Sequence, residues 1–209
     1  MSSIQYCLNS STIRPAPLME KIRIAGATGY KAIELWNDDL SAHQEAGGSL
    51  QEVKSALGDD YGELLQLGRQ IGVAPAMEYL GFMKSVYTIE QAWQIATDAN
   101  DADATLIMDP FHILRGGGSI DSIALVPGDK VAIWHWNDVP ASPPVGEQTD
   151  ADRVLPGDGV GPLREIEALA LRQGYSGFVS LELFNPQLWE EDPEKVARTG
   201  LEKMQGYFE

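Results

Sequence analysis

Short apolar runs alternate with amphipathic stretches along most of the chain, and the two patterns predict different elements. The runs Ile4–Asn9, Ala32–Trp36, Ala74–Tyr79, Thr105–Asp109, Val131–Asn137 and Gly177–Leu183 read as strands. The stretches Pro17–Ala27, Ser49–Leu57, Tyr61–Ile71, Thr88–Asn100, Ser119–Leu125, Pro162–Gln173 and Pro193–Phe208 read as helices. In the first of these, Leu18, Ile22 and Ala25 share a face and Gly29 supplies the stop. Pro162 suits a first helical position. Strand–helix alternation predicts βα units around a parallel sheet, and hence an α/β fold of the (β/α) TIM-barrel type. A complete barrel has eight strands and usually about 250 residues. Here six strands are read in 209 residues. The third and fourth βα units would fall between Asn37 and Val73, so the expectation is a shortened barrel forming one domain over residues 1–209.

Composition narrows the partners. The chain carries 15 basic and 31 acidic residues, a formal net charge of −16. Such a surface repels phosphate backbones, so nucleic acid is not expected as a partner. No apolar run has the length of a membrane span, so no membrane is expected either. The first residues, Met1 to Gln5, lack the basic and apolar regions of a signal peptide, and a cytoplasmic location is the default expectation. Cys7 is the one cysteine, which excludes an internal disulfide and a multi-cysteine zinc site.

The chemistry gathers at the strand ends. Four strands finish on a metal-compatible residue: Glu78 in APAMEYLGF, Asp109 in TLIMDPFH, His135 in VAIWHWND and Glu182 in FVSLELFN. Side chains alternate along a strand, so each of these shares a face with small or apolar neighbours such as Ala76, Ile107, Ile133 and Ser180. The opposite face then holds Met77, Leu106, Met108, Trp134, Trp136, Val179 and Leu181, suited to packing under helices. Active sites of such barrels lie at the C-terminal strand ends. Glu34 ends the second strand in the same way. Taken singly, an acidic strand end is as readily a helix cap, His135 a hydrogen-bonded core residue, and Glu34 an ion-pair partner. Recurrence in one register is what favours a shared site. Three carboxylates and an imidazole suit one divalent ion (Mn, Mg, Co or Zn) with positions open to substrate oxygens. A divalent ion beside a carbonyl and its neighbouring hydroxyl acidifies the C–H between them. Glu78 and Glu182 are the expected pair for moving that proton. Trp36 and Phe82 follow directly on Glu34 and Glu78 and could flank a sugar ring or simply pack under a loop.

The segments IEL (Ile33–Leu35), MEYLGF (Met77–Phe82), MDPFH (Met108–His112), WHWND (Trp134–Asp138), RVLPGDGVGPL (Arg153–Leu163) and GYSGFVSLELFN (Gly174–Asn185) together resemble the sugar phosphate isomerase/epimerase superfamily, the xylose-isomerase-like TIM barrels. The resemblance implies that Glu78, Asp109, His135 and Glu182 are metal ligands. It also implies that His112 and Arg153 contact substrate, His112 beside the metal. The chain departs from that pattern in the skipped third and fourth units. It also reads MKSVY at Met83–Tyr87, where ketose 3-epimerases of the family carry a further acidic residue.

The expected function is a divalent-metal-dependent isomerase or epimerase of a small sugar, sugar phosphate or keto-polyol, with Glu78, Glu182 and His112 catalytic. Glu34, Trp36, His112, Asp138 and Arg153 are expected around the substrate. A dehydratase of the inosose type, with His112 or Asp138 as the acid, is the first alternative. A truncated barrel that binds ligand without turnover is the second. A homodimer covering the exposed sheet edges would complete the shortened barrel.

Overall fold

The computed structural model describes residues 4–16, 18–34, 65–66, 68–70, 72–83 and 86–208. Six parallel strands form one sheet: β1 (Gln5–Asn9), β2 (Ala32–Glu34), β3 (Met77–Glu78), β4 (Leu106–Met108), β5 (Val131–Trp136) and β6 (Phe178–Leu181). Their spatial order is β2-β1-β6-β5-β4-β3. The helices are α1 (Leu18–Thr28), α2 (Ile89–Asp98), α3 (Pro110–Arg115), α4 (Leu163–Arg172), α5 (Pro186–Trp189) and α6 (Pro193–Phe208). No helix among the described residues is long and apolar enough to cross a membrane.

The sheet is rolled. In a flat sheet of six strands the outer two lie about 24 Å apart, at the usual spacing of about 4.8 Å. Yet Glu34 on β2 and Glu78 on β3, the outer strands among the described residues, reach the same imidazole, that of His135, at 3.3 and 3.1 Å. The described strands therefore curve until the outer two face a common centre. The segment between them includes most of residues 37–73, where the third and fourth βα units would fall, and lies largely outside the described residues.

The helix-facing row holds as the alternation requires. Leu106, Met108, Trp134, Trp136, Val179 and Leu181 are all buried to within 1%. Burial of one such side chain is worth about 1.5–3 kcal/mol, so this row supplies much of the force that seats the helices on the sheet. Trp136 meets Tyr207 and Phe208 of α6 edge-on, with ring centres 5.7 and 4.9 Å apart. The approach of α6 to β6 is close enough that a Cβ on Gly200 would lie 2.1 Å from Leu181 Cδ2.

Several elements differ from expectation, each for a local reason. The strand expected over Ala74–Tyr79 is shorter among the described residues, Met77–Glu78, and Pro75 has no N–H to begin a ladder earlier. The helix expected over Ser119–Leu125 is a 3-10 helix, Ile120–Leu125, capped by Ser119. Pro162 takes the cap position, and α4 begins one residue later. Thr88 and Gln91 form a capping box at the start of α2. The chain leaves α2 through Asn100, at φ 48°. Two short helices, α3 and α5, were not expected. Of the helix expected over Tyr61–Ile71, residues 65–66 and 68–70 are helical. The helix expected over Ser49–Leu57 lies outside the described residues.

Candidate metal centre

Each candidate ligand sits where a strand ends. Asp109 follows β4 and caps α3: its Oδ1 accepts from the amides of Phe111 (2.7 Å) and His112 (3.3 Å), with Pro110 at the first helical position. Asn137, just after β5, donates to both Asp109 oxygens at 3.1 and 3.2 Å. Glu182 follows β6, and Thr12 fixes the backbone on either side of it. The Thr12 hydroxyl donates to the Leu181 carbonyl (2.7 Å) and accepts from the Leu183 amide (3.1 Å). Asn9, at the end of β1, donates to Glu182 Oε1 and to Glu34 Oε2, both at 3.1 Å. Ser180 also donates to Glu34.

Glu78, Asp109, His135 and Glu182 each offer a ligand atom, and all these atoms lie within 4.8 Å of one another. The imidazole of His135 is oriented from behind. Its Nε2 faces Glu34 Oε1 at 3.3 Å, the carboxylate–histidine arrangement found behind metal-ligating histidines. With the proton on Nε2, the Nδ1 lone pair points into the cluster. There it meets Glu78 Oε1 and Glu182 Oε2 at 3.1 Å and Asp109 Oδ2 at 3.5 Å. None of these approaches has hydrogen-bond geometry, and Nδ1 is a buried atom without a hydrogen-bond partner.

The residues fit a divalent cation. Four carboxylates surround one imidazole and one guanidinium, so the cluster needs further positive charge. Burial opposes protonation of His135. The charges of Glu182 and Glu34 outweigh it and hold the histidine pKa well above its ordinary value. Burial likewise disfavours ionised Asp109. The Arg153 guanidinium, with His112 and His135, overrides this and drives its pKa well below the usual carboxylate range. The same carboxylates that favour a proton on His135 favour a metal ion more strongly, and Nδ1 is aimed to bind one.

The other expected site residues divide. Arg153 lies within the centre, 1% exposed. Its Nη1 donates to Asp109 Oδ2 (2.9 Å) and Glu182 Oε2 (2.6 Å). Its Nη2 donates to Asp150 Oδ1 at 2.6 Å and lies 3.1 Å from His112 Nε2. The guanidinium sits 4.6 Å over the Phe111 ring and 5.4 Å from that of Phe184. His112 Nδ1 accepts from the Gly81 amide at 3.2 Å, and Phe82 meets its ring edge-on at 5.4 Å. Asp138 is placed differently from the substrate contact expected of it. It is buried, and its oxygens accept from the amides of Val139, Gly157, Gly159 and Gly161 at 2.8–3.2 Å. It organises the loop that follows Arg153, and a Cβ on Gly159 would lie 2.6 Å from its Oδ1. Trp36 lies outside the described residues. Asn9, Asn137 and Asp150 were missed by sequence reasoning. Asn9 had a signal, since it ends its strand in register with Glu34.

The chain belongs to the xylose isomerase-like TIM barrel family, whose profile matches residues 16–207. Among its relatives, the inosose isomerase of Bacillus subtilis (strain 168) is 34% identical over 151 residues, 71% of this chain and 54% of that protein. The 3-dehydroshikimate dehydratase of Pseudomonas aeruginosa is 35% identical over 130 residues, 62% of this chain and 20% of that protein. The chain therefore spans about half the length of the first relative and a fifth of the second. A crystal structure of IOLI protein with a binding zinc atom superposes with a TM-score of 0.86 at 22% identity, covering 97% of each chain.

Proposed function

We propose that this chain is a divalent-metal-dependent isomerase or epimerase of a small keto-polyol or sugar. The observation that carries the reading is the flanking of His135 Nδ1 by Glu78 and Glu182, each at 3.1 Å, with Asp109 closing the set. These four residues are the proposed metal ligands. A divalent ion held there polarises a carbonyl oxygen and lowers the barrier to taking a proton from the adjacent carbon. The residues do the rest. Glu78 and Glu182 both reach His135 Nδ1, each at 3.1 Å, and are the proposed pair to remove a proton and return it. Glu34 holds His135 in the tautomer that presents Nδ1. His112, with Nδ1 accepting from Gly81, turns an Nε2–H toward the centre. Beside it stands Arg153 Nη2, another donor, 3.1 Å away. Two donors that face each other await an acceptor, and a substrate hydroxyl or carbonyl oxygen meets that requirement.

The inosose isomerase relative supports a cyclic keto-polyol as substrate. The test is incubation of metal-loaded protein with inososes and ketoses in deuterated water. Deuterium entering the carbon next to the carbonyl, lost in Glu78→Gln and Glu182→Gln, is the expected result. Metal-loaded protein whose coordination shell lacks these four residues would sink the proposal. A dehydratase is the second reading, favoured by the 3-dehydroshikimate dehydratase relative. It begins with the same proton removal, after which a β-hydroxyl leaves as water, taking back the proton that the carboxylate removed. A product lighter by one water in mass spectrometry selects it.

A further inference from the structure

We propose that Arg153 is an exchangeable internal cation, which holds the metal-facing oxygens until a divalent ion takes them and is then released to bind substrate. The inference rests on the metal centre proposed above.

Its first support is atomic identity. Arg153 Nη1 bonds to Asp109 Oδ2 and Glu182 Oε2 at 2.9 and 2.6 Å. Those are the same two oxygens that face His135 Nδ1, at 3.5 and 3.1 Å. A metal ion on Nδ1 and the Nη1 protons therefore draw on the same two oxygens. Coulomb repulsion adds to the competition, because a guanidinium hydrogen-bonded to both oxygens lies within a few ångströms of the ion.

The second support is that the rest of the guanidinium is held from the outer side, by Asp150, rather than from the centre. Nη2 stands against His112 Nε2 at 3.1 Å. Since His112 Nδ1 accepts from Gly81, that contact is donor against donor. Nε is buried without a hydrogen-bond partner. Meanwhile the flat faces of Phe111 and Phe184 allow the guanidinium to slide without losing its apolar cover. Asp150, whose side chain is 33% exposed, keeps hold of Nη2 from the outer side. Arg153 thus has a tether on which to swing outward. Once displaced, Nη1 is a free donor at the edge of the centre, next to His112 Nε2–H. The order that results is metal first, then substrate.

Calorimetric titration of metal-stripped protein with Mn²⁺ alone tests the exchange. Arg153→Gln removes the competitor, so its Mn²⁺ dissociation constant is expected to fall at least about tenfold, the effect of about 1.4 kcal/mol. Its metal-free form is expected to melt at a lower temperature than the wild type, and its metal-loaded form to recover most of the difference. Asp150→Asn loosens the outer tether, and Mn²⁺ binding is expected to weaken several-fold. This variant leaves the buried guanidinium in place and serves if Arg153→Gln does not fold. Unchanged or weaker Mn²⁺ binding in Arg153→Gln overturns the exchange while leaving the metal centre intact. So does unchanged or tighter binding in Asp150→Asn. If the wild type takes no Mn²⁺ or Zn²⁺ at all, the metal centre itself fails, and the exchange falls with it.

Discussion

The two glutamates that flank His135 stand in different surroundings. Glu182 follows a central strand, its side chain 4% exposed, and is held by Asn9 and Arg153. Glu78 ends a two-residue strand that is outermost among the described residues, its side chain 27% exposed. The structure gives it no further side-chain hydrogen bond among the described residues. Asp109 belongs with Glu182: it is fully buried and bonded to Asn137, Arg153 and the start of α3. One side of the centre is thus fixed by a dense network, and the other is a single, partly exposed carboxylate. A ligand needs fixity, whereas a group that carries a proton between two positions needs some freedom. On the proposed function, the contrast favours Glu182 and Asp109 for holding an ion and Glu78 for moving the proton.

The largest expected effect comes from the fixed side. Asp109→Ala leaves Arg153 with less compensation and α3 without its cap, a loss of about 3–5 kcal/mol of stability by analogy with broken buried ion pairs. Urea denaturation and metal analysis of the purified variant check this, with no retained metal expected. Next comes the direct comparison of the two glutamates. Glu78→Gln and Glu182→Gln should each lower kcat by about 10²- to 10⁴-fold, but calorimetry should find metal affinity weakened far more in Glu182→Gln. Equal losses of metal from both would break the contrast. A smaller effect is expected behind the ligands. Asn9→Ala and Asn137→Ala should weaken metal binding by about 10- to 100-fold, as outer partners of ligands usually do. The smallest concerns Cys7, one alternation below Asn9 on β1. Burial, reinforced by Glu34, pushes its thiol up to about 12. Deprotonation is therefore negligible at about pH 8, and iodoacetamide should label the thiol only after unfolding.

The same division governs what could be read from the chain. Asp109, His135 and Glu182 close strands whose alternation is unbroken, so their side-chain direction follows from period alone. The helix-facing row from Leu106 to Leu181 was legible for the same reason. Glu78 was legible as a strand end, though its strand is only Met77–Glu78 among the described residues. The short helices α3 and α5 carry a sequence signal that went unread, an Asp or Asn followed by Pro in Asp109-Pro110 and Asn185-Pro186. Asp138 misled because an acidic residue beside a ligand strand looks like chemistry. Its four amide partners come from its own neighbour and from a loop some twenty residues on, and no local pattern announces such a nest. Arg153 was expected at the substrate from the resemblance, but its insertion between the Asp109 and Glu182 carboxylates is a matter of three-dimensional distance alone.

The place of β6 in the sheet has a consequence for synthesis. It is the final strand in sequence among the described residues, yet it lies between β1 and β5 and pairs with both. Among the described residues, β1 and β2 connect through the sheet to β3, β4 and β5 by way of β6. The bond from Asn9 to Glu182 spans 173 residues, so the proposed ligand set cannot close until β6 has been made. Contacts this distant close late and slowly. A nascent chain halted before Phe178 lacks β6 and Glu182, so on the proposed function it cannot yet hold a metal ion in the complete four-residue set.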